Sequence, residues 1–264
     1  MNVQQPHVGE HLRAWRQRRR KSQLDLACQA DISTRHLSFM ETGRALPSRE
    51  MLLHLAEELE IPMRERNLLL VAAGYAPKFP QRPLDDPAMK AARAAIDLIL
   101  EAQKPFPAFA VDRYWNVVAS NRALPFLYEG VAEHLLKPPV NGMRLTLHPE
   151  GMAPKIVNFG EWREHLLAGI RQQINISADP VLIELLREVS EYPAPPHATP
   201  ARLTGDPPIV AAFRVQTSAG LLSFFTTTMV FGTPVDVTLS ELALECFFAA
   251  DAETDKIVRS LGAA

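Results

Sequence analysis

Cysteine is nearly absent: Cys28 and Cys246 are the two in 264 residues. That excludes a disulfide framework and a cysteine-rich metal cluster, and both read as small core residues. Glycine is sparse as well, at 12 residues. No Gly-rich phosphate loop, G-x-S-x-G elbow, CxxC pair or HExxH helix occurs, which removes the commonest sequence routes to nucleotide hydrolysis, acyl transfer and zinc proteolysis. No enzyme is expected. Apolar runs are broken by charge or proline before the roughly 20 residues that span a bilayer, and residues 1 to 20 are polar and basic rather than a leader. The expectation is a cytoplasmic protein with no membrane partner. Glu161 and His165 stand one helical turn apart but lack a third ligand, and His148 is isolated. No metal and no obligatory cofactor is therefore expected.

The length suggests two domains, and 47% apolar with 22% charged residues is an ordinary globular composition. Net charge is only −2, yet it is unevenly spread. Residues 1 to 49 carry nine Lys and Arg against four acids, a balance of +5, which leaves −7 for the rest. A basic segment joined to an acidic remainder places any nucleic-acid contact at the N-terminal end.

Within that basic segment, residues 22 to 44 read SQLDLACQADISTRHLSFMETGR. Leu26, Ala27, Ile32, Leu37 and Met40 fall where two short crossing helices would bury a shared face, with a tight break at 30 to 32. Ser33 is positioned to cap the second helix. Thr34, Arg35, His36, Ser38 and Phe39 then form an outward face, with Gln23 and Arg44 beside it. Arg35 has the planar fork that pairs with guanine N7 and O6, and Phe39 suits a thymine methyl. Arg16, Arg19 and Lys21 are the candidates for phosphate contact. Flanking helices are expected from Val8, with Leu12 and Trp15 inward, after Ser48, and from Pro62 to Gly74.

QLDLA, the Ser33 cap, LSFMETGR, PSREMLLHLA and PMRERNLLLVAAGYAP together resemble the Cro/C1-type (XRE) helix-turn-helix family over about the first 76 residues. Asp31 stands where that family most often has Gly; Asp tolerates positive φ better than most residues. The resemblance implies an all-α, five-helix, lambda-repressor-like domain that binds a double-stranded DNA operator. Such a module reads a few base pairs, so a homodimer on a two-fold site is expected.

Prolines 77, 80, 83 and 87 mark a semi-rigid connector, followed by a helix over 88 to 103; 77 to 104 reads as linker and connecting helix. Residues 105 to 264 form the second domain. A hairpin is expected over 106 to 119, a helical turn over 121 to 128, and helices in NFGEWREHLLAGIRQQI and DPVLIELLREVSEY. A loop follows over 193 to 208, then a second hairpin over 209 to 231, and closing helices over 239 to 249 and 253 to 261. This is an α+β arrangement with an antiparallel sheet.

DRYWNVVASNRA, NGMRLTLHPEG, NFGEWREHL and FFTTTMVFGTPVDVTLSELALECFFAAD resemble the MmyB-like ligand-binding domain of bacterial regulators. That resemblance implies a PAS-like fold and a small lipophilic effector, such as a bound fatty acid. Phe109, Trp115, Leu124, Phe126, Phe213 and Phe224 are candidate wall residues; Asn121, Asn141 and Arg144 are candidates to orient a head group, or else helix caps and turn closers. The alternative is an antitoxin-like regulator whose second domain binds a protein partner.

Overall fold

Three serines begin three of the first five helices. The computed structural model describes residues 7–198 and 212–262. Its N-terminal helices are α1 (Val8–Arg18), α2 (Gln23–Gln29), α3 (Thr34–Glu41), α4 (Arg49–Glu58) and α5 (Met63–Ala72). The hydroxyls of Ser22, Ser33 and Ser48 accept the backbone N–H groups of Asp25, His36 and Met51, each satisfying an orphan donor of a first turn. Asp25 returns a carboxylate oxygen to the Ser22 N–H, completing a capping box. Leu12, Leu26, Leu37, Met40, Leu55 and Leu70 are fully enclosed in one core.

Two backbone positions hold the helix-turn-helix in shape. Asp31 takes φ +51 in the turn, the left-handed conformation that a short polar side chain tolerates. At Gly9 a Cβ would lie 2.3 Å from the Met40 carbonyl oxygen, so only glycine lets α1 pass this close to the end of α3. Cys28 departs from expectation: it is exposed, on the outer side of α2.

The start of the proline connector is pinned rather than free. Asn67 on α5 donates to the Phe79 carbonyl at 2.7 Å and accepts from the Lys78 and Phe79 N–H groups at 3.0 Å. The chain divides chiefly at Gln81 and Arg82 into two compact units.

The second unit is built on a five-stranded antiparallel sheet of order β2-β1-β5-β4-β3, formed by β1 (Ala108–Val111), β2 (Val117–Ser120), β3 (Phe213–Thr217), β4 (Gly220–Val230) and β5 (Ala243–Ala249). Helix α6 (Lys90–Ala102) covers one face, where Ile96 and Leu100 pack with Ala108, Ala110, Leu244 and Cys246. The expected connecting helix is thus part of the second domain's core. The opposite face carries the larger core, which includes buried residues of α7 (Gly142–Leu147), α8 (Phe159–Ser177) and α9 (Pro180–Glu191). A short α10 (Val237–Ser240) precedes β5, and α11 (Ala252–Gly262) ends the described chain.

The helix expected over 239 to 249 is wrong from Ala243 onward, because that stretch is the central strand. Being flanked by β1 and β4 and covered on both faces, β5 buries Leu244, Glu245, Cys246 and Phe247 in succession. A strand buried on both faces loses the alternation that would distinguish it from a short apolar helix. The turn expected over 121 to 128 is a 3-10 segment, Leu124–Tyr128. Residues 209 to 211 of the expected hairpin, and 199 to 208 of the expected loop, lie outside the described residues.

Candidate nucleic-acid interface and effector site

Because Leu37 and Met40 anchor α3 inward, its other face is presented outward: Thr34, Arg35 and His36 are exposed, Ser38 and Phe39 half-buried. The Arg35 and Arg44 guanidinium carbons sit 5.3 and 5.8 Å from the Phe39 ring centroid. Two cations over one aromatic make a compact positive surface with an apolar centre, suited to a phosphate-lined groove with thymine methyls in it.

The basic run behaves differently. Arg16 is 8% exposed and cannot reach a phosphate. Its Nε and Nη2 donate to the two Glu41 carboxylate oxygens at 2.6 and 2.8 Å, and its Nη1 donates to the Lys21 carbonyl at 2.9 Å. Gln23 closes the network by donating to Glu41 at 2.8 Å. Burial pushes the Glu41 carboxyl up, but the hydrogen bonds from Arg16 and Gln23 and the Arg16 charge outweigh it and hold the group below the ordinary carboxylate value. Arg19 donates to the Leu59 and Glu60 carbonyls at 2.8 and 2.9 Å, and Lys21 to the Glu58 carbonyl at 2.6 Å. Both therefore cap the C-terminus of α4, where orphan carbonyls and the helix dipole favour a cation. The expected phosphate role of Arg16 is replaced by a structural one, Arg19 and Lys21 spend N–H groups inside the domain, and Gln23 binds Glu41.

In the second domain the sheet brings distant aromatics together. Phe213 lies 5.0 Å from Trp162, 6.5 Å from Phe224 and 5.8 Å from Phe247, ring centroid to centroid. Half-buried Phe109 extends the cluster at 6.0 Å from Phe247. Of the expected wall residues, Phe213, Phe224 and Leu124 are buried in this core, and Phe109, Trp115 and Phe126 pack on it partly buried. Trp115 adopts φ +67 and donates its indole N–H to Gln173 at 2.8 Å.

The head-group candidates are structural instead. Asn121 donates to the Leu100 and Phe106 carbonyls and accepts from the Ala108 and Ala123 N–H groups. Asn141 caps α7 through the Met143 and Arg144 N–H groups and donates to the Tyr114 carbonyl and to Asn116. Each amide spends both donors and accepts twice within the protein, so neither is available to a ligand. Arg144 is exposed and forms a bidentate pair with Glu188 at 2.7 and 2.8 Å.

Sequence reasoning missed three residues. Phe247 and Glu245 were hidden by reading their segment as helix. Trp162 was seen only as part of an amphipathic helix. Glu245, 8% exposed, faces the same side of the sheet as Phe247 and stands opposite Phe109 across the ladder. Burial pushes its carboxyl up, although the Thr228 hydroxyl donates to it at 2.8 Å.

The histidines also differ from expectation. His148 is not isolated: its ring is 5.6 Å from His134 and 4.9 Å from Tyr192, and its Nδ1 accepts the Glu150 N–H at 3.1 Å. Ligating atoms of His134, His148 and Glu150 lie within 4.8 Å of one another, with His134 and Glu150 exposed. His165 stacks on Trp162 at 5.1 Å, and desolvation lowers its pKa.

Residues 92–261 match the family described as the MmyB-like transcription regulator ligand binding domain, more than half of the chain. The chain belongs to that family. Residues 7–69 match a helix-turn-helix domain family, so the chain is a transcription regulator that pairs a DNA-binding module with a ligand-binding domain. No curated protein matches the chain. Among solved structures, it is similar to one described as an RNA-binding Light-Oxygen-Voltage Receptor, at 12% identity and a TM-score of 0.26, over 97% of this chain and 64% of that one. No helix among the described residues is long and apolar enough to cross a membrane.

Proposed function

We propose that this regulator, of the Cro/C1 (XRE) kind, binds an operator in the cytoplasm as a homodimer and responds to a small lipophilic effector held by its second domain. It acts by binding, without catalysis. The observation that carries the reading is the outward face of α3, where Arg35, Arg44 and Phe39 form one surface, in a chain whose other domain gathers five aromatic rings on one sheet face. Effector binding repacks that aromatic face and shifts the populations of dimer arrangements that fit the operator.

Two experiments test the two halves. Arg35→Ala with Phe39→Ala should remove sequence preference and leave weak, salt-sensitive binding, measured by mobility shift against specific and random duplexes. Specific binding that survives would place recognition elsewhere. Native mass spectrometry followed by denaturing extraction should show a dimer and a co-purifying lipophile, one per chain. An empty protein that binds no lipophile from a supplied panel would sink the effector half.

A further inference from the structure

A metal ion selects its site by the ligand atoms that a backbone brings together. Ligating atoms of His134, His148 and Glu150 lie within 4.8 Å of one another, the one such group of three among the described residues. His134 sits in the 3-10 turn Glu133–Leu136, and His148 ends α7. The Ala132 N–H donates to the Glu150 carbonyl at 3.0 Å, which ties these two segments together. Just beyond, the Gly151 and Met152 N–H groups donate to the His148 and Leu145 carbonyls, each at 2.9 Å. A Cβ at Gly151 would lie 2.2 Å from the Leu145 carbonyl oxygen, so only glycine closes this turn. The His148 ring is itself positioned, edge-on to Tyr192 at 4.9 Å, and the Tyr192 hydroxyl donates to Glu188.

Pairwise contacts do not account for the trio. His134 Nε2 and a Glu150 carboxylate oxygen are 3.9 Å apart, too far for a hydrogen bond, and an exposed pair at that distance contributes little to stability. His148 Nδ1 accepts the Glu150 N–H at 3.1 Å. Either nitrogen of that ring can ligate a cation at the cost of this one bond, and Glu150 is exposed, so water can replace it. Ligands held at roughly 2.0–2.1 Å around one tetrahedral zinc stand about 3.4 Å from each other, so the three groups need to close by at most about 1.4 Å. Rotation of two exposed side chains supplies that.

We propose that His134, His148 and Glu150 bind one divalent transition-metal ion such as zinc, through two imidazole nitrogens and one carboxylate oxygen, with a fourth position open to water. Two imidazoles favour zinc over magnesium or calcium, which take oxygen ligands. The ion staples the 3-10 turn to the end of α7. No lipophilic effector is needed for it.

The test titrates full-length, chelator-treated protein with Zn²⁺ against a competing chromophoric chelator at pH 7.5, with Mg²⁺ as the comparison ion. Wild type should take up one Zn²⁺ per chain and show no comparable affinity for Mg²⁺. His134→Ala and Glu150→Gln should each weaken Zn²⁺ by more than about tenfold, the least that loss of even an outer-shell partner usually costs. Both side chains are exposed, so the variants should unfold at the wild-type midpoint when metal is withheld. Imidazole ¹H–¹⁵N spectra of the wild type, which need no variant, should show Zn²⁺ shifting two of the eight histidine rings, His134 and His148. Failure of wild type to bind Zn²⁺, wild-type affinity in either variant, or shifts confined to other histidines overturns the site. Mg²⁺ bound as tightly as Zn²⁺ overturns the imidazole ligands.

Discussion

The two domains treat buried polar groups in opposite ways. In the helix-turn-helix module, Arg16, Glu41 and Gln23 form a closed network whose charges balance and whose hydrogen bonds all end inside the domain. In the ligand-binding domain, Asn121 and Asn141 are saturated, but the Trp162 indole and the Nε of Arg113 are buried without partners among the described residues. Arg113 is otherwise held by Asp179, Glu241 and Tyr114. A closed network makes a rigid block that offers its recognition groups only on the outside, as α3 does. An open valence in a core is a place where something from outside can complete the structure. The first domain closes its buried polar groups on one another; the second leaves two buried donors open among the described residues.

The largest test of this contrast is Glu41→Ala. Leaving the buried Arg16 charge unpaired should cost about 3–5 kcal/mol, seen as a lower denaturant midpoint of the first domain's transition. A cost below 1 kcal/mol would mean that the network is not closed. Because Glu41 is held below its ordinary value of 4.5, its contribution is present above that pH and is lost as pH falls through the folded value.

Asn121→Ala comes next. It strips two carbonyls and two N–H groups of their partner and should destabilise the second domain by about 2–3 kcal/mol. A surface-like effect of a few tenths would indicate that water replaces the amide. Ser33→Ala removes the cap of the recognition helix and should cost about 1 kcal/mol, with operator affinity reduced in step. Should stability fall while affinity held, the α3 N-terminus would not be at the DNA.

The smallest effect is the one that marks the ligand-binding domain as the strained partner. Burial raises the Glu245 carboxyl above its ordinary 4.5, so its favourable contribution is full below that pH and is lost as pH rises through the folded value. Glu245→Gln should therefore stabilise the protein by about 1 kcal/mol at pH 7.5 and by progressively less toward pH 4.5, measured by urea unfolding. A destabilised variant at pH 7.5 would show that the ionised carboxylate has a partner worth more than its desolvation.

Legibility in the sequence followed the range of the interactions involved. Ser22, Ser33 and Ser48 cap helices that begin one residue later, and Asp31 makes its turn on its own backbone, so local pattern was enough to place the first five helices and the outward face of α3. Arg16 defeated the same reading, because an arginine in a basic run looks solvated until Glu41, 25 positions away, is folded against it. Gly9 gave no sign of its role either, since the carbonyl it makes room for belongs to Met40.

In the second domain, composition and period carried α8, α9 and both hairpins, yet β5 was read as helix. Its central position is decided by β1 and β4, strands more than a dozen residues away along the chain, and a strand covered on both faces carries no alternation to read. The aromatic face followed the same rule: Phe109, Trp162, Phe213, Phe224 and Phe247 come from four strands and a helix, and only the sheet order makes them neighbours. The amino-acid sequence by itself determined the helix-turn-helix, the uneven charge and the two-domain plan, because caps, turns and helical period act over a few residues. Tertiary structure alone decided which arginine is buried, which asparagines are saturated and which indole is left without an acceptor among the described residues, because partners for a buried polar group are chosen by packing between distant segments.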